Sequence, residues 1–359
     1  MRLPVLLLLA VMSPAGLSQP AHADSADMPA PAPWAAAAGT ELPASALLAI
    51  GILPLDDGVP PDNANDPAYA LRDAESRYFA YHLRRVLDEQ ARWGPVRVLP
   101  RASHAVELTV SGTIHHSSGE RLALDIQAVD GSGRRWIDRR YEMSVDGADY
   151  GDRGAEPFQA VYQAVADDLD QFRLSLPLNE LEHLLELSQL RYAAALAPSA
   201  FDGYLAEADG GRINALRLPS RGDPVLTRVL RIREAEYLFA DTVDLQFEQY
   251  YRELKPTYLA WRQATVEAGG LMAAYREQAS RRKNKSAQQK YNELRELKLY
   301  QQTLRDNLAA FAFEVSPSTL EVAGQVVQLS GSLLEQQAQW QDLLERLYVQ
   351  EVGVLPAGG

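Results

Sequence analysis

Three times between residues 106 and 143 apolar side chains alternate with polar ones, and past residue 157 the alternation gives way to apolar residues at steps of three and four. This change of period constrains the chain more than any other feature. Period two places alternate side chains on one face of a strand, whereas a period near 3.6 places them on one stripe of a helix. Val106, Leu108 and Val110 alternate with Glu107 and Thr109. Leu122, Leu124 and Ile126 alternate with Asp125 and Gln127, and Ile137, Tyr141 and Met143 with Asp138, Arg140 and Glu142. One apolar and one polar face predicts antiparallel strands packed on one side. Asp130-Gly131-Ser132-Gly133 has the composition of a turn joining the last two as a hairpin.

Ahead of these strands, residues 47–55 form a nearly continuous apolar run, as expected for a strand covered on both faces. Residues 56–66 are dense in Pro, Asp, Asn and Gly and read as a loop. Leu71, Tyr78, Leu83, Val86 and Leu87 recur near helical spacing, Trp93-Gly94-Pro95 closes that helix, and residues 96–99 read as a short strand. Beyond residue 157, helices are expected near 157–175, 178–196, 224–254, 257–282 and 286–311, punctuated by Pro177, Pro198, Pro219 and Pro256. Phe247, Tyr250, Tyr251, Leu254, Tyr258 and Trp261 make an aromatic stripe, read as core rather than as a sugar-binding groove. Leu294, Leu297, Leu304, Leu308 and Phe311 make a second stripe, and two long neighbours with facing stripes predict an antiparallel helical hairpin. Residues 313–330 carry strand signals with a turn at Gly324-Gln325. Residues 331–349 read as an amphipathic helix with Ser332 near its N-cap.

The fold class is therefore α+β. An N-terminal α/β sandwich with a mixed sheet is expected over 46–150. An elongated helical domain with a long antiparallel helical hairpin is expected over 151–312, and a small β-β-α unit over 313–359. Arg2, the apolar run 5–12 and Ala21-His22-Ala23 have the form of a secretory signal peptide over 1–23. Residues 24–45, rich in Ala and Pro, are expected to be a disordered leader. The 359 residues include no cysteine, which excludes disulfides, thiol nucleophiles, cysteine metal sites and a lipidated cysteine. The expected setting is a bacterial periplasm. A net charge of −13 argues against non-specific binding to nucleic acid over the whole surface. Past the signal, no apolar run approaches the roughly 18 residues of a membrane helix.

The segments "AIGILPLDD", "LRRVLDEQ", "VRVLP", "VELTVSGTI" and "LALDIQAVDGSGRRW", in that order over residues 47–145, resemble the α/β domain of curli-secretion-type outer-membrane proteins. The same layout occurs in the amino-terminal domain of TolB-like proteins and in lipoprotein activators of penicillin-binding proteins. Pro54, Gly112 and Gly131 sit in comparable places. The resemblance covers roughly 100 residues and implies a non-enzymatic envelope protein that assembles with or activates others. The chain departs from several members in lacking a lipid-attachment cysteine and in carrying a long helical region, and no site residues carry over. "LEVAGQVVQLSGSLLEQQ" also resembles the strand–strand–helix core of BON-type envelope domains, which are binding modules.

No catalytic, cofactor-binding or metal-binding constellation emerges. His115 and His116 are adjacent on a strand and point to opposite faces. Glu180 and His183 share a helix face, but a di-iron bundle needs two such pairs. No Gly-x-Ser-x-Gly elbow, phosphate-binding loop or dinucleotide fingerprint occurs. Asp56 and Asp57 follow the first strand, where paired carboxylates could act on glycans, yet such residues are also favoured turn formers. Asp167, Asp168 and Asp170 read as a solvated helix face. The partner-binding candidates are Arg281, Arg282, Lys283 and Lys285, at the expected hairpin tip, where a local positive charge stands on an acidic chain. The expected function is a scaffold, assembly or activator factor acting through contacts with envelope proteins. The alternative is a periplasmic binding module for peptidoglycan or another polyanion.

Overall fold

In the computed structural model, which describes residues 43, 46–63, 69, 71–150, 155–281, 295 and 315–352, a five-stranded mixed sheet carries the N-terminal part. Its strands are β1 (Ile50–Ile52), β2 (Val96–Val98), β3 (Leu108–Ser117), β4 (Arg121–Asp130) and β5 (Arg135–Ser144), in the order β2-β1-β3-β4-β5. β1 runs parallel to β2 and β3, while β3–β4 and β4–β5 are antiparallel. The alternating runs thus become the antiparallel half. The continuous apolar run becomes the parallel strand β1, whose three residues are all buried. α1 (Arg72–Glu89) links β1 to β2 and packs on both.

The two faces of β1 meet different partners. Ile50 and Ile52 join α1's Tyr78, Phe79 and Leu83 in the main core. Ala49, Leu99 and Val106 pack instead on Ala240. That alanine belongs to α4 (Pro224–Arg281), a single helix of 58 residues. Two helices were expected here, broken at Pro256, and α4 runs through the proline without interruption. An interior proline costs a helix about 3 kcal/mol. Tyr251, Leu254, Tyr258 and Arg262 flank it and are all buried, so tertiary packing outweighs the local preference.

α2 (Gln159–Ser175) lies against α1 and β5, and α3 (Leu178–Leu196) against α4. Between α3 and α4 stands a hairpin the sequence did not suggest, β6 (Leu205–Ala208) with β7 (Arg212–Ala215). The C-terminal β-β-α unit is β8 (Ser318–Val322), β9 (Gln325–Leu329) and α5 (Leu333–Val352). Its turn lies one residue earlier than expected, at Ala323-Gly324, both with positive φ. Val322 pairs with Gln325, which fixes a two-residue loop with the twist that suits a hairpin. Ser332 caps α5: Glu335 N donates to its Oγ at 3.3 Å, and Ser332 N donates to the Glu335 carboxylate at 2.7 Å.

The described residues belong to one compact unit, Leu42–Gly359. One cluster of buried apolar side chains runs from Ala46 to Tyr348 and includes side chains from the sheet, from α1 to α5 and from the β8–β9 hairpin. The expected signal peptide, most of the leader and, apart from residue 295, the second helical arm at 286–311 lie outside the described residues. Among the described residues, no helix is long and apolar enough to cross a membrane.

Candidate functional site

The site grows from the β4–β5 turn. Asp130 organises it: its carboxylate accepts from Ser132 N at 2.8 Å, Ser132 Oγ at 2.6 Å, Arg134 N at 3.0 Å and Trp136 Nε1 at 2.8 Å. Gly131 follows, and its N–H donates to the Glu107 carbonyl at 2.8 Å. A Cβ on Gly131 would stand 2.5 Å from Ser188 Oγ of α3, so glycine here permits the close approach of that helix. One turn further along α3, Arg191 Nη1 donates to the Gly131 carbonyl at 2.5 Å.

The loop between β2 and β3 forms the facing wall, pinned by α4. Arg233 donates to the Ala105 carbonyl at 2.6 Å and pairs with the Glu107 carboxylate, whose other oxygen accepts from Ala49 N at 2.7 Å. Tyr237 OH donates to the same carbonyl, and Ser103 Oγ donates to Glu236 at 2.5 Å. α5 supplies Leu344 and Glu345. These elements enclose a solvent-connected cleft of about 530 Å³.

The cleft lining carries six formally charged side chains, Arg101, Glu107, Asp130, Arg191, Glu236 and Glu345, together with the buried hydroxyl of Ser188. Ser188 is 1% exposed, and its Oγ has no hydrogen-bond partner in the protein. Arg101 is exposed and Arg191 half-buried. Burial pulls the Arg191 guanidinium below its usual range, with Asp130 opposing. Burial, then the Arg191 charge, lowers His104 as well, which keeps that imidazole neutral at pH 7. Glu236 accepts hydrogen bonds from Ser103 and Tyr192, and burial raises the Tyr192 phenol far above its ordinary value. Sequence reasoning missed every one of these residues. The one available signal was Ser188, a polar residue between Leu184 and Tyr192 on the buried stripe of α3.

A second polar cluster is largely buried. Arg262 of α4 is 0% exposed, with its guanidinium 4.7 Å from the Phe158 ring centroid and 4.9 Å from that of Tyr258. It lies 3.6 Å from Glu75 and 3.9 Å from Glu156 and donates to Ser117 Oγ at 2.5 Å. Ser117 and Tyr258 donate to Glu75 at 2.6 and 2.7 Å, and Tyr78 donates to Glu156 at 2.8 Å. This cluster joins α4 to α1, β3 and the start of α2.

The sequence candidates fall elsewhere. Arg281 is the last residue of α4, and Arg282, Lys283 and Lys285 lie outside the described residues. Asp56 and Asp57 are exposed and accept from the N–H groups of Gly58 and Val59 at 2.9 Å each, as turn formers do. His115 sits at a bulge in β3, where the pairing with β4 skips a residue. Glu180 pairs with Arg134 at 3.0 Å. Among the described residues, no group of three His, Cys, Asp or Glu side chains could hold a metal. The solvated aspartate face needs correction. Asp167 is exposed, but Asp170 is buried and pairs with Arg173 at 2.6 Å and with Arg92. Asp168 accepts from Tyr141 OH at 2.6 Å. The spacing of the three is helical, but only the face with Asp167 points to water. The aromatic stripe is core, as expected: Phe247, Tyr251, Leu254 and Tyr258 are buried.

Scans against family models, characterised proteins and solved structures found no match.

Proposed function

We propose that the chain is a non-enzymatic, exported protein of the bacterial envelope, an assembly or activator factor that works by recognising a partner group in the cleft. The observation that carries this reading is the cleft itself. It is open to solvent, has the size of a ligand site and holds a buried hydroxyl without a protein partner. Most other buried ionisable groups are held in contacts within the protein. Glu75 and Glu156 lie against Arg262, Glu107 against Arg233, and Asp170 against Arg173. The pattern of residues 1–23 supports export. The resemblance of residues 47–145 to curli-secretion-type, TolB-like and penicillin-binding-protein-activator domains supports an envelope role.

The test is a photo-crosslinking residue at Glu345, on the cleft, beside one at the exposed Leu174 of α2, introduced in living cells. The reading expects a discrete envelope component captured from position 345 and absent from position 174. Equal or absent capture at both positions would overturn it.

A further inference from the structure

We propose that the cleft binds a zwitterionic ligand of the short-peptide type, its carboxylate against Arg191 and Ser188 and its ammonium toward Glu236 and Glu345. This rests on the reading of the cleft as a recognition site and names what it recognises.

The inference follows from which charges on the wall are already neutralised. Glu107 is paired with Arg233, and Asp130 lies 3.3 Å from Arg134. Four formal charges then line the cleft without an ion-pair partner among the described residues: Arg101 and Arg191 are positive, Glu236 and Glu345 negative. Their sum is zero, but both signs are present. A dianion such as phosphate would meet two carboxylates and only two guanidinium groups, with His104 held neutral beside them. An uncharged sugar would bring the half-buried Arg191 no counter-charge beyond the one Asp130 supplies. A ligand with one carboxylate and one ammonium satisfies both sides, and a guanidinium fork matches a carboxylate in shape.

Ser188 adds an independent observation. Its hydroxyl is buried on the cleft wall, one helical turn from Arg191, and makes no hydrogen bond within the protein. A buried hydroxyl left unpaired is costly, and a carboxylate oxygen shared with Arg191 would satisfy it. A volume of about 530 Å³ is more than one small amino acid fills and lies within the usual range for small-molecule sites. That favours a peptide over a free amino acid.

The experiment is calorimetric titration of the protein with L-alanyl-L-alanine, its N-acetylated and C-amidated forms, L-alanine and inorganic phosphate. The dipeptide is expected to bind, each capped form at least tenfold more weakly, L-alanine more weakly than the dipeptide, and phosphate not at all. Arg191→Gln is expected to weaken dipeptide binding at least tenfold and Ser188→Ala several-fold, while Leu174→Ala, outside the cleft, leaves it unchanged. Because Arg191 also supports the β4–β5 turn, Glu345→Gln, at the cleft rim, gives a second readout with less risk to folding, again as weaker binding. Binding that survives capping of either terminus, phosphate as the preferred ligand, or no binding of any probe would overturn the proposal. If no probe binds while position 345 still captures its partner, the ligand class fails and the recognition reading stands. If both are negative, both fail.

Discussion

The Arg262 guanidinium of α4 lies 3.6 Å from the Glu75 carboxylate of α1, and both residues are buried. Such a pair is expensive to desolvate, and its geometry is held by further donors from Ser117 and Tyr258. The contact ties the long helix to the helix between β1 and β2. It explains how α4 passes Pro256 without ending.

Replacing Arg262 with Met leaves Glu156 buried without a cation and Glu75 with Arg72 alone, 3.6 Å away. The expected loss is about 3–5 kcal/mol in urea unfolding. Adding Glu156→Gln to that variant should recover part of the loss, since an amide costs less to bury than an uncompensated carboxylate. No recovery would mean that packing against Phe158 and Tyr258, not charge, accounts for the effect.

Gly131→Ala would place a methyl 2.5 Å from Ser188 Oγ. Overpacking of this kind costs about 1–3 kcal/mol. In the double variant with Ser188→Ala the nearest α3 atom becomes Cβ, at 3.7 Å, an ordinary contact. The two substitutions should therefore couple favourably in a double-mutant cycle. Additive losses would contradict the close approach.

His82 is buried, with Nδ1 2.6 Å from Tyr251 OH and Nε2 2.8 Å from Gln159 Oε1. Burial lowers its pKa from 6.5, with Glu156 and Gln159 opposing. A depressed folded value means the unfolded chain binds the proton more readily. The contribution to stability is thus present above about pH 6.5 and lost as the pH falls through the folded value. Unfolding free energies between pH 5 and 8 should show this loss, and His82→Gln should remove that part of the pH dependence.

Asp244 shows the opposite sign. It accepts the N–H of Val98, on the edge strand β2, at 2.9 Å. Burial raises its pKa to about 7, against Val98, Arg84 and Arg97. A raised folded value makes the contribution fully present below the ordinary carboxylate range and lost as the pH rises toward 7. Asp244→Asn keeps an acceptor for Val98 and should make stability less dependent on pH between 4 and 7. An unchanged profile would show that the carboxylate is ionised throughout.

What could be read from the sequence depended on local periodicity. β3, β4 and β5 were legible because apolar and polar side chains alternate along much of each run, and Ser332 because its cap partner Glu335 is three residues away. The β6–β7 hairpin was not, because Leu205, Ile213 and Ala215 are only partly covered and the strands have four residues each. Pro256 suggested a break because the packing that overrides it comes from α1 and the sheet. Arg262 follows Tyr258 by four residues on the buried stripe, but its partners Glu75 and Glu156 lie far away in sequence. The cleft was illegible for the same reason: Arg101, Ser188, Glu236 and Glu345 come from four separate segments and form no motif.

The most direct measurement is amide chemical-shift mapping of the 15N-labelled protein as L-alanyl-L-alanine is added. Shifts concentrated at Ser103, Gly131, Ser188 and Arg191 are predicted, saturating with the calorimetric affinity. No shifts at these amides, or shifts concentrated instead around Arg281 at the end of α4, would contradict the assignment of the cleft as the recognition site.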